Sequence, residues 1–486
     1  MTHAHPLKLF NSLTRQLEAF QPVHPGEARV YTCGPTVYNY PHIGNMRAYV
    51  FADVLGRTLS YKGYKLSHVI NITDVGHLTD DADAGEDKLE KAAQASAQSI
   101  WDIAKHYTQA YWADIAALNI RQPMQWSIAT DYVPAMIEFG KRIADKHCYQ
   151  LDSGLYFDVS TVADYGRLAR AATEEGEGRI EQVDGKRHPA DFAIWRKTPP
   201  GEKRQMEWDS PWGRGAPGWH LECSVMSGEL LGFPFDIHTG GIDHREIHHP
   251  NEIAQNQAFC CSGGLDVPAN SGANLWMHNN FLVERSGKMS KSSGEFLRLQ
   301  LLIDKGYHPL AYRLMCLQAH YRSELEFSWD GLGAALTRLK RLVMAVAGLR
   351  AQAAPATPPG PRFAAFLDRF DAALSDDLNT PVALTVVEEV AALKKVDAGE
   401  KLAAIAAMDA VLGLDLLAVD RADLRLRPRT ATITEAEIES TLAARKAARA
   451  EKDFATSDAL RDQLAAQGVE AMDGDPLGWE WKLGEG

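Results

Sequence analysis

The fold is indicated most directly by the segment CGPTVYNYPHIGN, residues 33–45. This segment follows a short β-type run at residues 28–33 and precedes residues 44–61, whose apolar positions have helical spacing. A second strand-like run follows at residues 66–72. Strand, helix and strand at this spacing form a βαβ unit, so we predict an α/β fold with a parallel sheet.

The α/β pattern is interrupted and then resumed along the chain. No βα repeat is visible through residues 120–215, which predicts a domain inserted into the sheet fold. The pattern returns with strands at 235–238 and 275–283 and a helix at 246–260. The rest of the chain is predicted to be helical, and its last long helix is expected at 435–467.

The composition is that of an ordinary folded protein. The chain has 486 residues, 45% of them hydrophobic and 24% charged, and this length allows several domains. No apolar stretch is long enough to span a bilayer and the N-terminus lacks a signal-peptide pattern, so we expect a cytoplasmic location and no membrane partner. The six cysteines are sparse and irregularly spaced, which argues against a disulfide framework. With a net charge of −13, RNA binding requires a local basic surface.

The turn between the first strand and the first helix carries candidate phosphate ligands. A helix N-terminus presents unpaired N–H groups and a partial positive charge, which suits phosphates. Gly44 allows a nucleotide to approach the backbone, and His42 and Asn45 can donate hydrogen bonds to phosphate oxygens. An ordinary strand-to-helix turn that contains a histidine is the alternative, and His-x-Gly alone does not exclude it.

A second candidate motif is KMSKS, residues 288–292, in a loop of small residues. Lys288 and Lys291 suit a triphosphate, because ammonium groups bind phosphates as point charges. For two lysines in isolation, a solvated basic loop would be the better explanation.

A candidate metal site can be assembled from residues far apart in the sequence. His248 and Glu252 are four positions apart, so they project from one face of a helix. With thiolates from Cys33 and Cys223 they would complete a zinc ligand set. Unrelated polar core residues are the alternative, which the residues alone do not exclude because the separations are long.

Together the two phosphate motifs resemble the paired signatures of class I aminoacyl-tRNA synthetases, HIGH after the first strand and KMSKS after the last. KMSKS is matched letter for letter, whereas HIGH is here HIGN, with Asn45 in its final position. Asparagine keeps a hydrogen-bond donor but carries no charge, so we expect only a small loss of function. The resemblance implies a Rossmann-type parallel-sheet catalytic domain with an inserted connective domain.

Further motifs are similar to those of the cysteinyl-tRNA synthetase family, and this similarity covers nearly the whole chain. Two letters depart from the family pattern, Thr239 in place of a glycine and Pro250 in place of a glutamate. Both leave the candidate ligands in place and affect only their neighbours. The motifs are CGPTVY (33–38), NITD (71–74), GWHLECS (218–224), DIHTGG (236–241), HHPNE (248–252), DDLNTP (376–381), KDF (452–454) and PLGWEW (476–481).

The resemblance implies an enzyme that activates L-cysteine with ATP and magnesium and joins it to tRNA(Cys). One zinc ion per chain would hold the substrate thiol, because a soft thiolate binds zinc far better than the hydroxyl of serine does. For Trp219, a packed core residue is an equally good alternative. The implied zinc ligands are Cys33, Cys223, His248 and Glu252, and the substrate cysteine would contact Cys33, Thr73, Trp219 and His238. ATP would contact Gly34, Pro35, Thr36, His42, Gly44, Asn45, Lys288 and Lys291. Of these, the implied catalytic residues are His42, Asn45, Lys288 and Lys291.

The resemblance also implies where tRNA binds. Arg445, Lys446 and Arg449 form a local basic patch on a predicted helix, and Trp481 lies where the family stacks an anticodon base. A solvated amphipathic helix is the alternative for this patch. We expect a monomer. The implied domains are the first half of the catalytic domain (1–119), the inserted connective domain (120–215), the second half of the catalytic domain (216–285), the KMSKS loop with a stem-contact region (286–330), an α-helical bundle (331–430) and a small anticodon-binding domain (431–486).

Three other functions fit parts of the sequence. A related ligase that joins cysteine to an amino-sugar inositol shares the ATP and zinc motifs but lacks the C-terminal region found here. A non-catalytic zinc and RNA-binding descendant would not need an intact KMSKS. A generic nucleotidyltransferase of the same fold would leave the four candidate zinc ligands without a role.

Overall fold

The structure is a computed structural model, which describes residues 4–75, 99–169, 183–284, 287–288, 297–356 and 358–483, with the backbone alone for 287–288. Its strands are β1 (Lys8–Asn11), β2 (Gln16–Ala19), β3 (Glu27–Thr32), β4 (Lys65–Ile72), β5 (Gln125–Ile128), β6 (Cys148–Leu151), β7 (Gly154–Phe157), β8 (Phe192–Lys197), β9 (Gly215–Pro217), β10 (Phe235–Gly241), β11 (Ala273–Asn279), β12 (Leu282–Glu284), β13 (Gly287–Lys288), β14 (Leu325–Glu326), β15 (Val469–Ala471) and β16 (Trp479–Trp481). Its helices are α1 (Ile43–Tyr61), α2 (Ile100–Ala117), α3 (Val133–His147), α4 (Trp219–Leu231), α5 (His248–Cys260), α6 (Leu299–Asp304), α7 (Pro309–Leu317), α8 (Trp329–Arg350), α9 (Ala364–Ser375), α10 (Thr380–Ala392), α11 (Ala398–Leu412), α12 (Glu435–Ala450) and α13 (Phe454–Ala466).

A five-stranded parallel sheet in the order β11-β10-β3-β4-β5 forms the centre of the N-terminal part of the chain. The predicted βαβ unit is confirmed as β3, α1 and β4, and the α/β fold class with it. Helix α1 packs against the sheet because it is apolar on most sides, with Val50, Leu55 and Leu59 fully or nearly fully buried. The strand predicted at 275–283 is in fact two strands, β11 and β12, separated by Asn280 and Phe281.

The strand order reverses between β3 and β10, and the candidate site lies at this point. From β3 the chain continues to β4 on one side, whereas β10 and β11 are added on the other side. In sheets of this kind the crevice outside the carboxyl ends of the two central strands is where ligands bind. Cys33 follows the last residue of β3, and Gly241 ends β10. These two ends therefore face the same crevice.

A separate antiparallel sheet in the order β6-β7-β8-β9 lies in the predicted insertion. Helix α3 packs beside it, and their shared core includes Phe139, Leu155 and Trp195. Strand β5 comes before this sheet and pairs with β4, so the parallel sheet continues past the predicted boundary at residue 119. We therefore propose that the insertion starts after Ile128; the other domain boundaries stay proposals.

The C-terminal third is helical and ends in a small unit with its own core. Helices α8 to α11 share one apolar core. The long helix predicted at 435–467 is in fact two helices, α12 and α13, because Lys452 has a φ of 60° and Asp453 caps the second helix. Residues of α12, α13, β15 and β16 enclose a separate core that contains Trp479 and Trp481. Among the described helices, none has the length and apolar character needed to cross a membrane.

Candidate active site and metal centre

Four side chains that are far apart in the sequence meet at the floor of the crevice. Cys33 follows β3, Cys223 lies on α4, and His248 and Glu252 lie one turn apart at the start of α5. Their ligand atoms all lie within 4.8 Å of one another, and all four residues are buried. The two sulfur atoms are 3.9 Å apart, and His248 Nε2 is 2.9 Å from Glu252 Oε1. The structure thus brings together the predicted metal ligands.

Three of the four groups favour their charged forms despite burial, whereas Cys33 favours the neutral thiol. Cys33 donates a hydrogen bond to the thiolate of Cys223, which lowers the pKa of Cys223 to about 6 against the opposing effect of burial. Burial raises the pKa of Cys33 well above its usual value, and the nearby Cys223 raises it further. Burial would lower the pKa of His248, but Glu252 outweighs it and raises that pKa to about 10. Burial would likewise raise the pKa of Glu252, but His238 and His248 lower it well below its usual range.

A second set of candidate ligands overlaps the first. It consists of Cys33, His238, His249 and Glu252, again with ligand atoms within 4.8 Å of one another. Cys33 and Glu252 belong to both sets, so one metal ion can use only one of them. We favour the first set because Cys33, Cys223 and His248 line the cleft, whereas His238 and His249 do not.

His238 is a buried hydrogen-bond partner of Glu252. Its Nε2 is 2.8 Å from Glu252 Oε2, and the residue is fully buried. This position differs from the predicted one, in which His238 lines the pocket for the substrate cysteine. Such a partner fixes the orientation of a metal-ligating carboxylate.

The cleft above the cluster has a volume of about 390 Å³. Trp219 lines it and stacks on the ring of His248, with centroids 4.2 Å apart, so it lies at the site rather than in the core. Thr73 also lines the cleft, and its hydroxyl donates a hydrogen bond to Glu222 at 3.0 Å. Two of the predicted pocket residues besides Cys33 therefore face the site.

The N-terminus of α1 opens into the same cleft. His42 is the N-cap: its Nδ1 accepts a hydrogen bond from the N–H of Gly44, while Asn45 Oδ1 accepts one from the N–H of His42. His42, Gly44 and Asn45 line the cleft, as do Gly34, Pro35 and Thr36. Gly34 must be a glycine, because a β-carbon there would lie 1.6 Å from the carbonyl oxygen of Asn71.

The KMSKS segment lies mostly outside the described residues. Lys291 falls outside them, and Lys288 is described only by its backbone, which pairs with Val283 in a short hairpin. The residues that follow are tied to α1: the N–H of Ile43 donates to the carbonyl of Leu297 at 2.8 Å. Next to it the guanidinium of Arg298 lies 4.2 Å from the centre of the Tyr40 ring. Leu297 and Arg298, which follow the KMSKS motif in the sequence, therefore contact the turn that contains His42 and the start of α1.

Comparisons with known proteins agree with this geometry. The family described as tRNA synthetases class I (C) catalytic domain matches residues 19–337, and the cysteinyl-tRNA ligase anticodon binding domain matches residues 434–476. The cysteine–tRNA ligase of Novosphingobium aromaticivorans is 83% identical over 98% of this chain and 97% of the relative. That of Zymomonas mobilis is 54% identical over 98% of each chain. This chain belongs to the cysteine–tRNA ligase family.

Solved structures of other class I enzymes share the fold at low identity. Methionyl-tRNA synthetase of Mycobacterium tuberculosis, bound to methionyl-adenylate, has a TM-score of 0.53 at 14% identity and covers 80% of this chain and 90% of its own. The Agrobacterium radiobacter leucyl-tRNA synthetase in a ternary complex has a TM-score of 0.56 at 12% identity, with 89% and 94% covered. These likenesses show the fold alone.

The basic residues predicted to bind tRNA are partly neutralised in this member of the cysteine–tRNA ligase family. Arg445 makes two hydrogen bonds to Asp473, at 2.7 and 3.1 Å, and Arg449 makes one at 2.9 Å. Hydrogen bonds from these arginines lower the pKa of Asp473 to about 2. Lys446 is exposed on the same helix. The patch is therefore less positive than the sequence suggests.

The aromatic residue predicted to stack on an anticodon base is buried. Trp481 is 2% exposed and packs edge-on against Trp479, so this geometry does not favour the prediction. Phe454 is 62% exposed at the start of α13, directly after Lys452 and Asp453. Phe454 follows a basic helix and a capping aspartate, and this position could have identified it from the sequence as a candidate for contact with RNA.

A second residue missed by sequence reasoning is His244, which lines the cleft beside the cluster. Its ring centroid lies 5.2 Å from that of His248 and 6.1 Å from that of Trp219. It lies three residues past the end of β10, in a turn whose path the sequence pattern does not specify.

Proposed function

We propose that this enzyme forms cysteinyl-adenylate from L-cysteine and ATP and transfers the cysteinyl group to tRNA(Cys), with one zinc ion selecting the substrate thiol. The observation that carries the proposal is the buried group of Cys33, Cys223, His248 and Glu252 at the floor of a cleft that also receives the N-terminus of α1. Membership of the cysteine–tRNA ligase family supports the activity, and the chemistry of the donor set supports the metal.

The donor set fits zinc. Two sulfurs, an imidazole nitrogen and a carboxylate oxygen are ligand types that zinc accepts, and the two sulfurs exclude hard cations such as magnesium. A zinc ion bound there would supply a Lewis acid that prefers the thiolate of cysteine to the hydroxyl of serine. Trp219 covers the cluster from the side of His248 and restricts the space for a larger amino acid. Because a required bond discriminates by roughly 10⁴ or more, no separate editing domain is needed.

The first step joins the cysteine carboxylate to the α-phosphate of ATP and releases pyrophosphate. The N-terminus of α1, with its partial positive charge, and the side chains of His42 and Asn45 line the cleft and would attract phosphate oxygens, whereas the N–H groups of Ile43 and Gly44 already donate to Leu297 and His42. We assign Lys288 and Lys291 to the triphosphate, where their charge would offset the charge that develops in the transition state. Magnesium accompanies ATP in this proposal.

The second step moves the cysteinyl group to the terminal ribose of tRNA. The match of residues 434–476 to an anticodon-binding domain supports tRNA over a small amino-sugar acceptor. Lys446 and Phe454 offer an exposed charge and an exposed ring in this region, while Arg445 and Arg449 would have to exchange Asp473 for phosphates. We further propose that the protein is cytoplasmic, because this reaction supplies the ribosome. We also propose that it is a monomer.

The decisive experiment is transfer of radiolabelled cysteine onto total tRNA in the presence of ATP, magnesium and zinc. Periodate-treated tRNA removes the acceptor ribose and is the control, and serine is tested in parallel. We expect acid-precipitable cysteine that disappears with periodate and no signal with serine. Cysteine-dependent pyrophosphate exchange without transfer to tRNA would instead support the small-molecule ligase, and silence in both assays would support a non-catalytic protein.

A further inference from the structure

A second cavity, of about 360 Å³, lies between α1, β4 and residues 120–124. Its floor is formed by Leu66, His68 and Ile70, alternate residues of β4 that share one face of the strand. Its volume is in the range of small-molecule sites. Tyr49 is the residue that lines both this cavity and the catalytic cleft, so the two lie side by side.

The wall of this α1–β4 cavity carries a guanidinium that is weakly paired. Arg121 has both terminal nitrogens 3.3 Å from the hydroxyl of Ser60, and its side chain is 39% exposed. Its Nε is 3.9 Å from Asp53, but that carboxylate is bound more closely by Arg57 at 2.8 Å and Arg313 at 2.6 Å. Arg57 and Arg313, which do not line the cavity, thus satisfy the Asp53 carboxylate and leave Arg121 weakly paired. Arg121 is the one Lys or Arg side chain in the described lining of the cavity, and it favours an anion.

The floor carries a buried imidazole with one unused nitrogen. His68 is 7% exposed, and its Nε2 is 2.8 Å from the hydroxyl of Thr32. Its Nδ1 has no hydrogen-bond partner among the described residues. A β-carbon placed on Gly56 would lie 3.9 Å from this nitrogen and 3.5 Å from Arg121 Nη2, so both groups face the same space. Burial lowers the pKa of His68 to about 4, and a neutral imidazole needs both a donor and an acceptor partner.

We infer that the α1–β4 cavity binds a small carboxylic acid with an apolar body. The carboxylate would pair with Arg121, and one of its oxygens would accept a hydrogen bond from Nδ1–H of His68. Leu66, Ile70 and Met124 provide apolar contacts for the body of the ligand. A carboxylate fits better than a phosphate, because one guanidinium and one imidazole offer few donors for a phosphate group and the remaining wall is largely apolar.

Binding at this cavity has a consequence that can be measured at His68. A carboxylate that accepts from Nδ1–H places the ring proton on Nδ1, so Nε2 becomes the acceptor for the hydroxyl of Thr32. Thr32 in turn lies 2.7 Å from the hydroxyl of Thr239, whose carbonyl accepts from the N–H of Cys33 at 3.1 Å. The bound acid therefore fixes the direction of the hydrogen bonds that run from His68 through Thr32 to the hydroxyl of Thr239, next to Cys33 in the sheet. This inference does not depend on the metal.

The test measures binding of benzoate to the full-length protein whose catalytic cleft is filled with a non-hydrolysable cysteinyl-adenylate analogue. Calorimetry gives the affinity, and nitrogen chemical shifts of ¹⁵N-histidine report the tautomer of His68. We expect saturable binding with a dissociation constant of about 1 mM, as is usual for a ligand of this size. Benzamide, which has the same shape without the charge, should bind at least tenfold more weakly. Benzoate should move the His68 proton to Nδ1.

Three variants distinguish this cavity from other binding sites. Arg121→Met keeps an unbranched side chain without the charge and should weaken the binding of benzoate at least tenfold. Arg362→Met, at an exposed arginine elsewhere, is the control and should leave the affinity for benzoate unchanged. Gly56→Ala narrows the cavity and leaves the charge of Arg121 in place, because its β-carbon would lie 3.0 Å from Leu66 and 3.5 Å from Arg121 Nη2, and it should also weaken the binding of benzoate. The inference is overturned if benzoate does not bind saturably to the protein that holds the adenylate analogue, or if Arg121→Met and Gly56→Ala both bind benzoate as the wild type does.

Discussion

The sulfur atoms of Cys33 and Cys223 lie 3.9 Å apart, too far for a disulfide bond of about 2.05 Å. Two thiolates that each lie about 2.3 Å from one tetrahedral zinc ion are separated by about 3.8 Å. The spacing of the two sulfurs therefore fits a shared metal ion. It arises because Cys33 lies at the end of β3 and Cys223 on α4, and both elements belong to the packed core.

Substitution of one sulfur tests this centre. We expect Cys223→Ser to lower zinc affinity by at least the roughly 10- to 100-fold that loss of a supporting residue costs. Cysteine-dependent pyrophosphate exchange should fall with it. Zinc per chain is measured by mass spectrometry after dialysis, and exchange is measured at saturating ATP.

The matched control for that experiment is Cys260→Ser, because Cys260 is exposed at the other end of α5. It should retain both zinc and exchange activity. A Cys223→Ser protein that keeps one zinc per chain and the wild-type KM for cysteine would contradict the proposed ligand set.

Asn45 has a structural role that can be separated from its role toward ATP. Its Oδ1 accepts a hydrogen bond from the N–H of His42, so Asn45→Ala should destabilise the protein by about 0.5–2 kcal/mol, the usual cost of a lost cap. Asn45→Asp keeps the acceptor and adds a negative charge that suits a helix N-terminus but repels a triphosphate. We therefore expect Asn45→Asp to keep its Tm while its KM for ATP rises. Equal ATP kinetics in Asn45→Asp and the wild type would place Asn45 away from the phosphates.

The sequence predicted those parts of the molecule that depend on local pattern. The βαβ unit follows from alternating apolar periods. The spacing of His248 and Glu252 on one helix face predicts that these two candidate ligands lie together, and the family resemblance adds Cys33 and Cys223. Features set by tertiary packing were not predictable in the same way. Which of Phe454 and Trp481 is exposed depends on how β16 folds back onto α12 and α13.

The partners of charged and polar side chains could not be predicted from the sequence either. The sequence predicts a basic patch from three residues of α12. In the structure Arg445 and Arg449 form ion pairs with Asp473, which is more than twenty residues away in the sequence. The family resemblance implies that His238 contacts the substrate cysteine. In the structure its ring is instead hydrogen-bonded to Glu252, because β10 directs it toward α5.

Asp53 joins α1 to the helices that follow, and its contribution to stability should depend on pH. Its carboxylate binds Arg57 and Arg313, and although burial would raise its pKa, Arg313 and Arg57 lower it below the usual value. The stabilisation that ionised Asp53 provides is complete above the pKa of about 3.9 that this side chain has in the unfolded chain. It is lost as the pH falls through the lower pKa that Asp53 has in the folded protein. We expect Asp53→Asn to cost about 3–5 kcal/mol at neutral pH, because it leaves buried guanidinium groups without their partner.

The measurement for Asp53 is the free energy of unfolding of wild type and Asp53→Asn as a function of pH. The difference between them should stay constant above pH 5 and narrow below about pH 4. Glu389→Gln, at an exposed ion pair, is the control and should leave the free energy of unfolding nearly unchanged. A difference that widens at low pH would contradict the assigned direction of the Asp53 pKa.

Phe454 and Trp481 offer the clearest contrast for tRNA binding, because one ring is open to an RNA base and the other is enclosed. Stacking of a base on an aromatic ring contributes about 1–3 kcal/mol, so Phe454→Ala should lower kcat/KM for tRNA by about 5- to 150-fold. Its Tm and its pyrophosphate exchange, which needs no tRNA, should not change. Trp481→Ala should instead unfold the C-terminal unit, because removing a buried tryptophan costs about 3–5 kcal/mol. Loss of tRNA charging in a fully folded Trp481→Ala protein, with Phe454→Ala as active as the wild type, would restore the original assignment of Trp481 as the stacking residue.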